Sequence, residues 1–155
     1  MKDSVSKYQT QQVMTASPAR LVCMLYDRAI LSLKEAVAAI QAGEIEARWR
    51  ANKRAADIVA HMWTTLDVER GGEIAANLAD LFKYMLSRLP EIDFNNDPAP
   101  ALEIIRLLEP LRESWHKVAT SEAAAQPAPA APRRTASTAA AAPSAPPRMP
   151  TVVSA

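Results

Sequence analysis

The sequence predicts an all-α protein, an antiparallel up-and-down four-helix bundle. Apolar residues recur at alternating steps of three and four along four consecutive segments, and the connections between these segments are mostly short. Only three of the 155 residues are glycines, which leaves little material for the tight turns of an all-β fold. We divide the chain into a mobile N-terminal arm (residues 1–16), the bundle (17–120) and a disordered tail (121–155).

The first helix has clear signals at both ends. Ser17 and Pro18 are an N-cap and a first helical residue, and Gly43 is a terminator just past the end. The connection Gly43-Glu44 is too short for anything but an antiparallel neighbour. The predicted core face of this helix consists of Val22, Tyr26, Ala29, Leu33, Val37 and Ile40.

The second helix repeats this spacing. Its predicted buried row is Ile45, Trp49, Asn52, Ala56, Val59, Trp63 and Leu66. Because the tryptophans follow the apolar spacing, we expect Trp49, Trp63 and Trp115 to be packing residues. The segment 68–72 contains Gly71 and Gly72 and is predicted to form the turn to the third helix.

The third and fourth helices are delimited by prolines. The third is predicted to end at Pro90, and a loop through residues 93–96 leads to Asp97 and Pro98 as the next N-cap and first helical residue. Pro110 lies inside the fourth helix and is predicted to bend it. The apolar rows of the two helices are Ile74, Leu78, Leu81, Met85 and Leu89, and Ile104, Leu108, Leu111, Trp115 and Val118.

Composition and charge limit the classes of function. Hydrophobic residues make up 49% and charged residues 23%, and no apolar run approaches the roughly 18 residues of a membrane span. The polar start of the chain has no signal-peptide core, and Cys23 is the only cysteine. Residues 1–122 carry a net charge of −2 and residues 123–155 carry +3. Nucleic-acid binding requires a stronger basic field, so a protein partner or a small ligand is favoured.

The tail has a composition of its own. Seven of the twelve prolines lie in residues 123–155, among alanines and serines, with almost no large apolar side chains. Proline removes backbone donors, and a segment without a core has nothing to offset its ordering entropy. We therefore expect a semi-extended, disordered segment.

The bundle has more apolar side chains than one buried stripe per helix needs. The surplus predicts an exposed apolar groove that receives an amphipathic helix from a partner. Two adjacent apolar stripes leave open which one is core, but Met62, Leu81 and Met85 are expected to border the groove. The candidate groove residues are Ile58, Met62, Leu78, Leu81, Phe82, Met85, Leu102 and Ile105.

The sequence gives little support for a catalytic function. The pattern Glu113-x-x-His116 is typical of di-iron bundles, but those sites need a second copy and further carboxylates, and no second copy exists here. The Gly71-Gly72 pair lacks the lysine and hydroxyl of a phosphate loop. Cys23 lies between apolar neighbours, as a packing residue does. We expect no enzymatic activity, no metal and no cofactor.

The most distinctive motif of the chain is the stretch from Leu66 to Leu78, which contains Asp67-Val68-Glu69-Arg70-Gly71-Gly72. Further motifs are Tyr8-Gln9, residues 13–21, Met24-Leu25-Tyr26-Asp27, Tyr84-Met85, Arg88-Leu89, Asn96-Asp97-Pro98, Leu108, Leu111-Arg112-Glu113 and Trp115. In order and in spacing, these motifs resemble the flagellar export chaperones of the FliS family, and the stretch from Leu66 to Leu78 is similar to the most specific motif of that family. Three positions depart from the pattern: Arg28 replaces a usual glycine, Phe82 replaces a common tyrosine, and Pro110 falls inside the last helix.

The resemblance implies a cytoplasmic chaperone that binds the C-terminal helical segment of flagellin. Such a chaperone prevents premature polymerisation and presents flagellin to the flagellar export gate. The resemblance also implies that the arm lies over the bundle, moves when flagellin binds and docks to the gate, with Val5 and Tyr8 as its anchoring side chains. The alternative is a structural helical bundle that self-associates through its surplus apolar surface. Neither function involves nucleic acid or membrane insertion.

Overall fold

The computed structural model describes residues 6–7 and 16–125. This part of the chain contains four long helices, α1 (Pro18–Ala42), α2 (Ile45–Thr64), α3 (Val68–Asn95) and α4 (Ala99–Ala125), and no strand. Connections of two or three residues join them. Helix α1 packs extensively against α2 and α4, α2 packs against α3, and the contact between α3 and α4 is the least extensive of these four. The predicted all-α four-helix architecture is confirmed.

The predicted arm and tail lie almost entirely outside the described residues. Helix α4 continues to Ala125, five residues beyond the predicted end of the bundle at residue 120. The division of the chain into arm, bundle and tail otherwise stays a prediction.

The signals at both ends of α1 are confirmed. The Ser17 hydroxyl accepts a hydrogen bond from the Arg20 amide at 3.2 Å, and Pro18 is the first helical residue. Gly43 has a φ of 72°, in the left-handed region that favours glycine. With this conformation its N–H donates to the Ile40 carbonyl at 3.1 Å. Local chemistry alone determines both ends of this helix.

The buried face of α2 differs from the predicted row. The face turned to the core carries Arg48, Ala51, Asn52, Ala55, Val59 and Met62. Trp49 is 53% exposed and Trp63 is 37% exposed, so the prediction that these two tryptophans are core residues is wrong. Two alanines, Ala51 and Ala55, occupy that face instead and are almost completely buried.

Helix α3 begins earlier than predicted. Its N-cap is Asp67, whose carboxylate accepts from the Arg70 amide at 3.0 Å, so residues 68–71 are helical and not an open turn. The helix then kinks at Gly72, which has a φ of 53° and a ψ of −134°. Because side chains clash with the backbone in that conformation, glycine is required at the kink.

Helix α3 also ends later than predicted. It continues through Pro90 to Asn95, and Asn96 terminates it with a left-handed φ of 51°. Leu89 and Ile92, on either side of the proline, are buried in the core. Burial of these side chains offsets the cost of about 3 kcal/mol that a proline imposes inside a helix. The predicted loop over 93–96 therefore shortens to residues 96–98.

Helix α4 begins close to the predicted position and is continuous through Pro110. The Asp97 carboxylate accepts from the Ala99 amide at 2.9 Å, as expected of a residue that caps a helix. Downstream, the Ser114 hydroxyl donates to the Pro110 carbonyl at 3.0 Å.

One main apolar core joins the four helices. Its largest fully buried side chains are Phe82, Leu33, Met85, Leu89, Ile92, Ile104, Leu108 and Val59. The burial of Phe82 agrees with the absence of the hydroxyl that a tyrosine would carry there, because a buried hydroxyl needs a partner. Arg28, which departs from the family pattern on α1, is exposed.

Candidate functional site

An apolar pocket of about 190 Å³ lies at the end of the bundle where α1 and α3 begin and α2 and α4 end. All four helices contribute because the antiparallel arrangement brings these segments together. The lining side chains are Val22, Leu25 and Tyr26 from α1, Met62 from α2, Thr65, Leu66 and Asp67 from the following turn, Leu78 and Phe82 from α3, and Trp115 from α4.

Two aromatic side chains, Tyr26 and Trp115, bring polar groups to the pocket wall in addition to Thr65 and Asp67. Burial raises the pKa of Tyr26 to about 12, although a hydrogen bond from the Trp115 side chain acts in the opposite direction. Tyr26 is therefore neutral at physiological pH. The pocket thus offers an apolar surface without a buried charge from these groups.

The structure places three of the eight candidate groove residues in this pocket: Met62, Leu78 and Phe82. Ile58 and Leu81 are half-buried against the core, and Leu102 is 40% exposed. Ile105 and Met85 belong to the main core. Contact of any of the eight with a partner stays a prediction.

The expectation about the groove border needs one correction. Met85 is completely buried, so in this structure it lies in the dry interior and not at a groove edge. Met62 is nearly buried but lines the pocket, and Leu81 is half-buried. Val5 and Tyr8, the predicted anchors of the arm, lie outside the described residues.

A polar bridge joins α3 to α4, the adjacent helix pair with the least extensive packing. Glu103 accepts hydrogen bonds from the Tyr84 hydroxyl and from the Arg88 guanidinium, the latter with a nitrogen–oxygen distance of 3.0 Å. Arg88 also pairs with Glu91. Hydrogen bonding to Tyr84 and to Arg88 holds the pKa of Glu103 below its ordinary value. Sequence reasoning missed this bridge, although the i, i+4 spacing of Tyr84 and Arg88 places both on one helix face.

A second polar cluster joins α1 to α4 near the pocket. The Asp27 carboxylate accepts from the Arg112 guanidinium and lies 3.4 Å from His116 Nε2. Burial alone would raise the pKa of Asp27, but hydrogen bonds with Arg112 and His116 outweigh it, and the pKa lies below the ordinary value. His116, which sequence analysis considered as a metal ligand, is thus part of an ion-pair cluster. In the described part of the chain, no three His, Cys, Asp or Glu side chains converge as in a metal site.

Comparison with known protein sequences identifies the family. The sequence model of the family described as flagellar protein FliS matches residues 1–122. The chain belongs to the FliS family. It is 36% identical over 107 residues to the flagellar secretion chaperone FliS of Salmonella typhimurium, which covers 68% of this chain and 79% of that protein. It is 30% identical over 122 residues to the flagellar secretion chaperone FliS of Vibrio cholerae, covering 76% and 90%.

FliS membership decides the class of function. A third relative, the flagellar secretion chaperone FliSB of Pseudomonas aeruginosa, is 34% identical over 104 residues, covering 67% of this chain and 82% of that protein. These relatives are chaperones and not enzymes, so the chain is a flagellar export chaperone of the FliS family and has no catalytic role. None of the helices in the described ranges is long and apolar enough to cross a membrane.

Proposed function

We propose that this FliS-family protein is a cytoplasmic chaperone that binds the C-terminal helical segment of flagellin at the apolar pocket. Binding there prevents premature polymerisation, and the complex is delivered to the flagellar export gate. The observation that supports the proposal is the pocket itself, to which all four helices contribute apolar side chains. Apolar side chains at helical spacing on a partner are what such a surface accepts.

The energetics of coupled folding and binding favour an apolar site. A segment that folds when it binds loses about 2–5 kcal/mol to ordering. At about 25 cal/mol per Å², burial of roughly 100–200 Å² of apolar surface offsets this loss. Leu66 and Leu78, which are half-buried in the unbound protein, supply part of this surface at the pocket.

We extend the binding surface along α3 and α4. Leu81 and Leu102 have exposed area available to flagellin in the structure as it stands. Met85 and Ile105 would become accessible only if α3 and α4 separated, and this pair has the least extensive packing of the four adjacent helix pairs. The proposed flagellin contacts therefore remain Ile58, Met62, Leu78, Leu81, Phe82, Met85, Leu102 and Ile105.

Co-purification tests flagellin binding. Full-length flagellin is expected to form a 1:1 complex with the chaperone, and flagellin without its C-terminal segment is expected not to bind. Leu78→Asp places a charge in the pocket and is expected to weaken binding at least tenfold. Ile74→Asp is the matched control, because Ile74 lies one turn earlier on α3, is 75% exposed and does not line the pocket.

The thermal unfolding midpoint of both variants separates binding from folding. Equal affinity of the Leu78→Asp variant and the wild-type protein, with the fold intact, would refute the pocket as the binding site. Because Leu78 also contacts the core, a variant that lowers the midpoint strongly would be replaced by Thr65→Glu, since Thr65 lines the pocket and is exposed. Retained binding of truncated flagellin would refute the assignment of the flagellin segment.

Delivery to the gate is assigned to residues 1–15, with Val5 and Tyr8 as the anchors. This arm directly precedes α1, the helix that supplies Val22 and Leu25 to the pocket. Val5→Ala combined with Tyr8→Ala is expected to reduce flagellin secretion from cells. Flagellin binding by the purified variant should persist. Normal secretion by this double variant would contradict the role of the arm.

A further inference from the structure

The outer face of α2 and α3 carries an apolar furrow on the side away from α1 and α4. A cavity of about 400 Å³ lies there between Trp49 and Ala56 on α2 and Leu86, Pro90 and Phe94 on α3. Trp49 is 53% exposed and Phe94 is 87% exposed. Exposed aromatic side chains beside a concave surface are typical of a binding site and are unexpected for solvated positions.

The apolar face continues along α2 to Trp63. Trp49, Ala56 and Trp63 are seven residues apart and share one face of the helix. The Lys83 ammonium of α3 lies 6.0 Å from the centre of the Trp63 ring, so this ring also faces the α2–α3 side. At 1.5 Å per residue, the two tryptophans lie about 21 Å apart along α2, and the cavity occupies the part of this face between Trp49 and Ala56.

The polar groups of the furrow indicate what kind of chain fits it. Among the described residues, neither the Trp49 nor the Trp63 indole N–H has a hydrogen-bond acceptor, so each can donate to a bound segment. The neighbouring charges already pair with one another, Lys53 with Asp57 at 2.8 Å and Lys83 with Asp80 at 3.4 Å. The furrow therefore suits a segment that has few charges and free backbone carbonyls.

Polyproline II segments have these properties. Their backbone carbonyls make no internal hydrogen bonds, and proline rings pack against aromatic side chains in the grooves that recognise them. This chain carries such a sequence at residues 143–150, with Pro143, Pro146, Pro147 and Pro150 and a single charge at Arg148. With three residues per turn, Pro143 and Pro146 share one ridge of a polyproline II helix, and Pro147 and Pro150 share the adjacent ridge. At about 3.1 Å per residue the segment spans about 25 Å, close to the separation of the two tryptophans.

The segment that links α4 to residues 143–150 is long enough for these residues to reach the furrow. Helix α4 ends at Ala125, at the same end of the bundle as Trp63, which lies near the end of α2. The 17 residues 126–142 span roughly 50 Å in an extended conformation, more than the length of α2 at about 30 Å. Tethering also gives the segment an effective concentration in the millimolar range, so weak contacts suffice.

We propose that the α2–α3 furrow is a polyproline-binding surface and that residues 143–150 of this chain occupy it. Pro143–Pro150 lies along the line from Trp49 to Trp63, and the two indole N–H groups donate to its carbonyls. The surface is separate from the apolar pocket, which takes its tryptophan from α4 and not from α2. Its occupation does not depend on whether flagellin is the partner.

The test uses the full chain with a nitroxide spin label at Ser144→Cys. Cys23 is only 2% exposed, so labelling is selective for the new cysteine. Nuclear magnetic resonance follows the three indole N–H signals. The expected result is loss of more than half the intensity at Trp49 and Trp63, with a smaller loss at Trp115. Trp115 is the internal control, because it lies on α4, closer along the chain to the tail.

Proline replacement provides the second measurement. Substitution of Pro143, Pro146, Pro147 and Pro150 by glycine should restore the Trp49 and Trp63 signals in the labelled protein. Substitution of Pro127, Pro129 and Pro132 by glycine is the matched control and should leave the losses in place. Equal losses at all three indoles, or losses unaffected by the first substitution, would overturn the proposal. Losses of indole signal intensity that grow with protein concentration would mean that the tail of a second copy occupies the furrow. This result would also overturn the proposal.

Discussion

The Arg48 guanidinium donates to the Asp93 carboxylate across 3.1 Å and so joins α2 to the last turn of α3. Both groups have further partners, since Arg48 also donates to Asn96 and Asp93 accepts from the Asn52 amide at 2.7 Å. Asn52 donates in addition to the Leu89 carbonyl at 2.9 Å. This network is mostly shielded from water, and it holds the end of α3 in place beyond Pro90.

Removal of the cation from this network is expected to destabilise the protein. Arg48→Met leaves the Asp93 carboxylate without its counter-ion in a partly buried position, and we expect a loss of about 1–3 kcal/mol in the free energy of unfolding. Urea unfolding measures it. Arg50→Met is the control, since Arg50 is exposed and pairs only loosely with Glu46 at 3.8 Å. Equal losses in both variants would contradict a special role for the network.

The kink in α3 is expected to be intolerant of a side chain. Gly72→Ala forces a β-carbon into a backbone conformation with a φ of 53° and a ψ of −134°, and we expect destabilisation by about 1–3 kcal/mol. Thermal and urea unfolding measure the change. Glu73→Ala, at the next exposed position, should change stability by less than about 0.5 kcal/mol. An unchanged Gly72→Ala variant would mean that the kink is not retained in solution.

Gly71 is constrained for a different reason. A β-carbon at this position would lie 2.4 Å from the β-carbon of Ala75, so Gly71→Ala requires the backbone to shift. The double variant Gly71→Ala/Ala75→Gly removes the clash and is expected to be more stable than additivity of the two single variants predicts. A double-mutant cycle by urea unfolding measures this coupling. Strict additivity would show that the two residues do not meet.

The cluster around Asp27 predicts an acid dependence of stability. The pKa of Asp27 is lowered from 3.8, so its ionised form contributes stability above about pH 4. This contribution is lost as the pH falls below 4 and through the folded-state pKa. Unfolding experiments between neutral pH and pH 2 should therefore show a shallower acid loss for Asp27→Asn. Arg112→Gln removes the donor and should flatten the same region, whereas a wild-type profile in both variants would refute the linkage.

The raised pKa of Tyr26 predicts that the protein loses stability at alkaline pH. Because burial raises the pKa of Tyr26 from 10.0 to about 12, the unfolded chain ionises before the folded protein does. The stability that burial of the neutral phenol provides is present below pH 10 and declines between pH 10 and pH 12. Ultraviolet titration of phenolate absorbance should show one tyrosine ionising near pH 12. This step should be missing in Tyr26→Phe, and its persistence in that variant would contradict the assignment.

Capping residues were predictable from the sequence because their chemistry is local. The Ser17 hydroxyl, the left-handed Gly43 and the Asp97 carboxylate all satisfy backbone groups within a few residues of themselves. Apolar spacing likewise predicted four helices, and short connections predicted their antiparallel order. These features require no knowledge of distant contacts.

Which face of a helix is buried required the tertiary structure. On α2, hydrophobicity favoured the row with Trp49 and Trp63, yet of that row only Asn52 and Val59 are buried, and Arg48 is buried beside Asn52. These two polar side chains bind partners on α3, some 40 residues away in sequence, and Ala51 and Ala55 allow close packing beside them. No local pattern encodes such partners. The predicted buried face of α2 is therefore rotated about the helix axis, towards the tryptophans, relative to the face that is buried in the structure.

The helix count, the caps Ser17, Gly43 and Asp97 and, through the motifs, membership of the FliS family follow from the order of the residues alone. Helix packing is needed to explain why Met85 lies in the core while Leu78 lines a pocket, although both belong to the same apolar row of α3. The reason is geometric. A periodic row specifies which side chains share a helix face, whereas their exposure depends on how closely the neighbouring helices approach at each level of the bundle.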